Sequence, residues 1–344
     1  MMIDYWKDIV EAAGAELPWE QLQGSNILVT GATGLLGSCL IDVLMHRVDG
    51  HYNVYAAGRN EARAQKLFQK YQTDARFHFL KYNVMCPLQS DLSFQYIIHA
   101  ASNASPSFFA DNPVEVMKAN VVGIINLLEY GRKHQLQRLM YVSTGEVYGE
   151  GDGRVFTEEY SGYVDPMKSR SCYPSSKRAA ETLCAAYVAE YGMDVVVARP
   201  SHTYGPHYTE NDNRVYAQFI RNVLNGEDIV MKSDGAQYRS WCYVVDCVKG
   251  LLHVLLKGKT GEAYNVADTS SNISIKQLAE MVAEIGGSKV ILDLPSDAER
   301  EGYNPVNKSV FSTKKLESLG WTLRGTMREK MEATIIECEK HEVI

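Results

Sequence analysis

Short apolar runs alternate with longer amphipathic stretches through roughly the first two hundred residues. Asn26–Thr30 (NILVT) reads as a strand, and Leu35–Arg47, with its apolar positions at helical spacing, as the helix after it. Asn53–Ala57 predicts a second strand, followed by a charged helix over 60–71. Phe77–Lys81, Tyr96–Ala100, Leu139–Ser143 and Val195–Ala198 supply further β-rich runs, and helical patterns at Pro113–His134 and Tyr173–Tyr191 fill the gaps. Strands alternating with helices of this length require right-handed crossovers, so the expected class is α/β, a doubly wound parallel sheet covered on both faces.

After Pro200 the texture changes, with turn residues, aromatics and charges mixed among shorter elements. Helices are expected at Val215–Leu224 and Val245–Leu256, while Ala263–Val266 and Ile275–Ile285 could return to the core. The organisation expected is a helical extension over residues 1–23 packed on the outside, with a turn at Pro18. A dinucleotide-binding core over 24–200 and a smaller mixed α/β substrate lobe over 201–344 follow it.

Composition narrows the function classes. The 344 residues carry a formal net charge of −7, with 45% apolar and 22% charged residues, which is ordinary globular composition. An acidic balance argues against nucleic acid or an anionic membrane as partner, although it leaves room for an anionic small molecule in a locally basic pocket. The seven cysteines are scattered and form no CxxC pair, and the nine histidines form no HExxH, so no metal site is expected. The acidic, amphipathic amino terminus resembles no targeting peptide and no apolar run is long enough to span a bilayer. A soluble cytoplasmic protein is the expectation.

Candidate chemistry begins at Thr30–Gly37, TGATGLLG, between the first strand and the first helix. Gly31, Gly34 and Gly37 permit a tight turn, close approach of a diphosphate to the helix amino terminus, and close helix–strand packing, which points to a Rossmann-type dinucleotide site. Glycines that merely form a turn are the alternative. The second strand ends Ala56-Ala57-Gly58-Arg59-Asn60, with Arg63 a helical turn on and no Asp or Glu at the tip. An acidic tip suits the ribose 2′-hydroxyl of NAD, whereas an arginine suits the 2′-phosphate of NADP, so NADP(H) is favoured over NAD(H) unless Arg59 is simply solvated.

With this loop, Thr144 in STGEVYG (Ser143–Gly149) and Tyr173-Pro174-Ser175-Ser176-Lys177, the chain resembles an extended short-chain dehydrogenase/reductase. Within that superfamily it is similar to the nucleotide-sugar epimerase/dehydratase group over most of residues 25–335, and nearest to UDP-glucuronate decarboxylases in SCYPSSKRAAET, NDNRVYAQFIRNVLNGE and QYRSWCYVVD. The resemblance implies cofactor contacts at Gly31, Thr33, Gly34, Leu35, Leu36, Gly37, Arg59, Asn83, Val84, Ala100, Ala101, Ser102, Asn120, Tyr173, Lys177, Pro200 and Ser201. It implies substrate contacts at Ser102, His202, Arg214 and Arg239, a nucleotide-diphosphate sugar as partner, and a homodimer built through the helices at Val114–His134 and Tyr173–Tyr191. Two residues depart from the group: His202 stands where it carries an asparagine, and Arg59 replaces the acidic strand tip expected for a tightly held, recycled NAD⁺.

The catalytic roles can be argued from chemistry. A tyrosine, with an ordinary pKa of about 10, is a poor base, and an ammonium one helical turn away favours its phenolate. Lys177 stands at that spacing from Tyr173, so Tyr173 would take a sugar hydroxyl proton while hydride passes to the cofactor; a surface pair is the alternative. Thr144 would hold the hydroxyl and Lys177 reach the nicotinamide ribose. By family analogy, 4,6-dehydratases carry an Asp-Glu pair where this chain has Gly145-Glu146, the Asp protonating the departing hydroxyl and the Glu taking the C5 proton, so Glu146 is a candidate catalytic residue; a solvated loop carboxylate is the alternative. Loss of carbon dioxide needs no such acid, nor by the same analogy do simple 4-epimerases, so the pair is awkward only for dehydration; oxidation at sugar C4 followed by decarboxylation, epimerisation or dehydration is expected, with decarboxylation favoured on the resemblance. The alternatives are an NADPH-dependent reductase of a keto-sugar nucleotide and a catalytically silent cofactor-sensing protein.

Overall fold

The computed structural model describes residues 3–209, 212–293 and 308–340. Seven parallel strands form the central sheet: β1 (Asn26–Thr30), β2 (Asn53–Gly58), β3 (Phe77–Lys81), β4 (Tyr96–His99), β5 (Arg138–Val142), β6 (Val195–Pro200) and, later in the chain, β10 (Ala263–Val266). Their order is β10-β6-β5-β4-β1-β2-β3, so the chain winds outward from β1 in one direction and then from β4 in the other. The strands are nearly continuous apolar runs because both faces are covered: Ile27, Leu28 and Val29 are fully buried, each contributing roughly 1.5–3 kcal/mol by leaving water.

The covering helices are α2 (Leu35–His46), α3 (Glu61–Leu67), α4 (Pro106–Asp111), α5 (Pro113–Lys133), α6 (Cys172–Tyr191) and α8 (Val244–Lys257). The charged helix expected over 60–71 is shorter, because α3 ends at Leu67 and a 3-10 turn carries Gln69–Tyr71. The smaller lobe holds a sheet of β7 (His202–Tyr204), β9 (Tyr238–Tyr243), β11 (Asp268–Ser274) and β13 (Lys308–Ser309), with β8 (Ile229–Met231) paired to β12 (Val290–Leu292). Helices α7 (Val215–Leu224), α9 (Ile275–Gly286), α10 (Lys314–Glu317) and α11 (Met327–Lys340) complete it.

The amino-terminal segment is more deeply integrated than an outside extension. In α1 (Tyr5–Ala13), Tyr5, Ile9, Ala12 and Ala13 are buried, as are Trp19 and Leu22 beyond it. The Tyr5 hydroxyl donates to Asp42 on α2 at 3.1 Å and the Trp6 indole to Glu337 on α11 at 2.8 Å, so α1 ties the two together. Among the described residues no helix is long and apolar enough to cross a membrane.

Candidate active site

Strand order reverses between β1 and β4, and a cleft of about 1500 Å³ opens at their carboxyl ends, where an open α/β sheet binds ligands. Thr30 Oγ1 and His99 Nδ1 lie 2.7 Å apart and tie the two strand ends together. Burial, with Lys177 nearby, pulls His99 down to about 3, so its ring is neutral. Gly31 turns the chain at φ +70°, and a Cβ there would stand 2.6 Å from the Ala100 carbonyl oxygen. A Cβ on Gly37 would meet the Gly31 carbonyl at 2.2 Å, so α2 reaches the loop only because that side chain is missing. Gly34 occupies the N-cap of α2 without a capping side chain, which leaves the first-turn N–H groups for an anion. This backbone cradle fits a dinucleotide diphosphate.

Arg59 is exposed at the tip of β2 on the cleft wall. Arg63 also lines the cleft, and its Nε donates to the Thr33 carbonyl at 3.0 Å, which holds it against the glycine loop. Thr33, Leu35, Leu36, Asn83, Val84, Ala100, Ala101, Ser102, Pro200 and Ser201 line the cleft as well. Asn120 does not. It is buried behind the wall, accepting from Ser102 Oγ at 2.8 Å and donating to Ser176 Oγ at 2.9 Å, so it orients Ser102.

Thr144 leaves β5 and caps the Gly145–Tyr148 turn, its hydroxyl accepting from the Glu146 N–H at 3.3 Å. Tyr173 opens α6 and stacks on Phe109 at 4.5 Å between ring centroids. Burial drives the Tyr173 phenol pKa upward and the Glu146 charge adds to this, whereas Thr144, Arg214 and Arg170 pull it down. The expectation that Lys177 supplies the phenolate's counter-charge meets a different geometry. Lys177 lies behind the wall, its Nζ donating to the Val142 carbonyl at 2.9 Å and standing 5.9 Å from the Tyr173 ring centroid. Burial lowers Lys177 to about 7, because a low-dielectric site penalises the ammonium as it does the phenolate.

The lobe end is built from side chains. Arg239 and Trp241 share one face of β9, and His202 packs its ring against Trp241 at 5.5 Å. Burial, with Arg239 and Arg214 adjacent, keeps His202 neutral. Its Nδ1 and the Trp241 Nε1 have no hydrogen-bond partner among the described residues, although both residues line the cleft. Arg214 donates Nε to Asp212 at 2.9 and 3.1 Å and is paired, whereas Arg239 donates to Gln237 and feels the charge of Glu146. Glu146 pairs with Arg170, so it is not simply solvated. A Cβ on Gly145 would stand 2.3 Å from the Phe311 ring, so that ring occupies the space an acid at 145 would need.

Sequence reasoning placed Arg63 beside the strand tip without giving it a contact, and did not single out Phe109, Arg170, Trp241 or Phe311. Trp241 was within reach, because it follows Arg239 by the two residues that keep a strand's side chains on one face. Phe311 was not, since nothing local links it to Gly145. Asn211, which opens the NDNRVYAQFIRNVLNGE stretch, lies outside the described residues.

A doubly wound sheet with a glycine cradle at its switch point and a tyrosine facing it defines an NAD(P)-dependent enzyme of the extended short-chain dehydrogenase type. The chain belongs to the NAD dependent epimerase/dehydratase family, whose model matches residues 27–267. It is 34% identical over 304 residues to UDP-glucuronic acid decarboxylase 6 of Arabidopsis thaliana, covering 88% of this chain and 86% of that one. It is 33% identical to UDP-glucuronic acid decarboxylase 1 of Xenopus tropicalis, covering 90% and 71%. In fold it matches the UDP-glucuronic acid 4-epimerase from Bacillus cereus in complex with UDP-glucuronic acid and NAD, with a TM-score of 0.78 at 22% identity over 92% of this chain and 99% of that one.

Proposed function

We propose that this enzyme decarboxylates a nucleotide-diphosphate-linked hexuronic acid through transient oxidation at sugar C4. The observation that carries the reading is the Gly145–Glu146 pair: Phe311 fills the place of a leaving-group acid, while a carboxylate remains at 146 on the cleft wall beside Tyr173. Elimination of a hydroxyl would need that acid, whereas loss of carbon dioxide does not. The 31–34% identity to UDP-glucuronic acid decarboxylases supports the same choice.

Bound NAD(P)⁺ supplies the hydride acceptor, and later the donor, at sugar C4. Tyr173 takes the C4 hydroxyl proton, and Thr144 orients that hydroxyl. The resulting C4 carbonyl is β to the carboxylate, so carbon dioxide leaves with its bond pair delocalised into the carbonyl. Glu146, held by Arg170, is the group placed to manage the proton that C5 then takes up. Arg239 and Arg214 face the substrate's anionic groups, with Arg239 the less neutralised of the two. The lobe over 201–344 is the substrate-binding part in this reading. Exposed Val114, Met117 and Val122 on α5 support a homodimer through α5 and α6.

The test supplies UDP-glucuronate and oxidised cofactor and follows carbon dioxide and the nucleotide pentose by mass spectrometry. Glu146→Gln should still oxidise C4, so reduced nicotinamide accumulates while product formation falls by about 10²–10⁴-fold. The second reading, a reductase of a keto-sugar nucleotide, is favoured by Arg59 and Arg63 at the β2 tip. It is the one to adopt if NADPH is consumed stoichiometrically and Glu146→Gln forms product as the wild type does. The same arginines support a preference for NADP(H) over NAD(H).

A further inference from the structure

Arg170 has entered so far only as the partner of Glu146 and one of the charges near Tyr173, yet three features of the site meet on it. It sits in the 3-10 turn Ser169–Ser171 that runs directly into α6, so its backbone is fixed relative to Tyr173. Its Nη2 donates to both Glu146 oxygens, at 3.1 and 3.0 Å. Its guanidinium carbon stands 5.0 Å from the centre of the Phe109 ring, and Phe109 in turn stacks on Tyr173 at 4.5 Å with planes 16° apart. Phe109 is itself buried with Val116, Cys172 and Tyr173, so the stack is anchored from below.

We propose that Arg170 is the positioning residue of the active site: one side chain fixes the Glu146 carboxylate and, by capping the Phe109–Tyr173 stack, the plane of the tyrosine. The inference rests on the reading of Glu146 and Tyr173 given above. An ordinary exposed ion pair contributes about 0–1 kcal/mol to stability and nothing to rate. Arg170 differs because its planar guanidinium can lie on a ring and donate at its edge at the same time. A lysine cannot do both. The cation also bears directly on chemistry, since its charge is one of those that pull the Tyr173 phenol down from its buried value.

The experiment compares Arg170→Met, Arg170→Lys, Glu146→Gln and Arg170→Met/Glu146→Gln in the holoenzyme, with thermal melts as a check on folding. Arg170→Met should lower kcat by about 10²-fold, as expected when a reacting group is misplaced by an ångström, while KM changes by less than about 3-fold. The double variant should lose less than the product of the two single losses, because the part of the Arg170 loss that runs through Glu146 is already gone and only the part that runs through Tyr173 remains. The limb of the pH profile along which kcat rises should move to higher pH in Arg170→Met, since a cation near the phenol is gone. It should stay near its wild-type place in Arg170→Lys, which keeps the charge yet loses part of kcat. Should Arg170→Met not fold, the Lys variant alone decides by that pairing of retained limb and reduced kcat. Independent, multiplicative losses in the double variant, or a loss confined to KM or melting temperature, overturn the proposal and leave the function intact. Wild-type product formation by Glu146→Gln overturns the function and this inference together.

Discussion

At the cofactor end of the cleft the walls are mainly backbone: Gly31, Gly34 and Gly37 shape a cradle by what they lack, and the α2 N-terminus supplies the donors. At the lobe end the walls are side chains, with Arg214, Arg239, His202 and Trp241 brought from β7, β9 and the start of α7. A backbone cradle recognises a feature every dinucleotide shares, so one spacing of glycines suffices. A side-chain wall recognises a particular ligand and carries buried polar atoms, such as His202 Nδ1 and Trp241 Nε1, that no described residue satisfies. The first half is built of backbone and generic, and the second is built of side chains and specific.

The sharpest way to break the contrast is to put a single methyl group into the backbone half. Gly37→Ala places a Cβ 2.2 Å from the Gly31 carbonyl oxygen, and neither atom belongs to a flexible side chain. Helix and loop must separate, at a cost of about 1–3 kcal/mol of stability. Cofactor affinity should fall by at least about 100-fold, since the diphosphate loses both its fit and its helix terminus. Calorimetric titration with a thermal melt reads both. Retained affinity would show that the cradle tolerates what the geometry forbids.

This contrast also explains what the sequence could reveal. The cradle was legible because its residues are consecutive and each glycine answers a local steric demand. Tyr173 and Lys177 were legible as a helical-turn pair, but not their electrostatics: burial pulls Lys177 to about 7 and lifts the phenol, and burial is a property of the folded whole. Asn120 was visible as a residue of the right kind, yet only its two hydrogen bonds show that it supports Ser102 from behind. Phe311 beside Gly145 was invisible, because their contact is made by tertiary packing across more than a hundred intervening residues.

A middle-sized effect tests whether the cofactor end is wholly generic. Arg63, pinned to the Thr33 carbonyl, and Arg59 at the β2 tip are the side chains there that can read a 2′-phosphate. NADP(H) should bind at least about tenfold more tightly than NAD(H), or roughly 1.4 kcal/mol, and Arg63→Met should erase most of that margin. Titration of nucleotide-free protein with each cofactor measures it. Tenfold tighter NAD binding would make the cofactor end generic after all and remove the preference.

The smallest effect probes the side-chain half, and its sign carries the information. Trp241 is 1% exposed, and its indole N–H has no partner among the described residues, while the residue lines the cleft beside Arg239 and His202. A buried donor left unpaired costs about 1–3 kcal/mol, and a hydrogen bond to a ligand returns about 0.5–1.5 kcal/mol in net terms. If that N–H serves the substrate, Trp241→Phe should raise KM for the nucleotide sugar by about 5–10-fold, near 1 kcal/mol, with cofactor affinity unchanged. Stability should meanwhile hold or rise, because the phenyl ring keeps most of the apolar contact and removes the orphan donor. If Trp241 is only core filling, the signs reverse: the smaller ring leaves a cavity, the melting temperature drops, and KM does not move. Steady-state kinetics on one preparation with a melt of the same sample therefore separates a recognition residue from a packing residue, even though either effect alone would be modest.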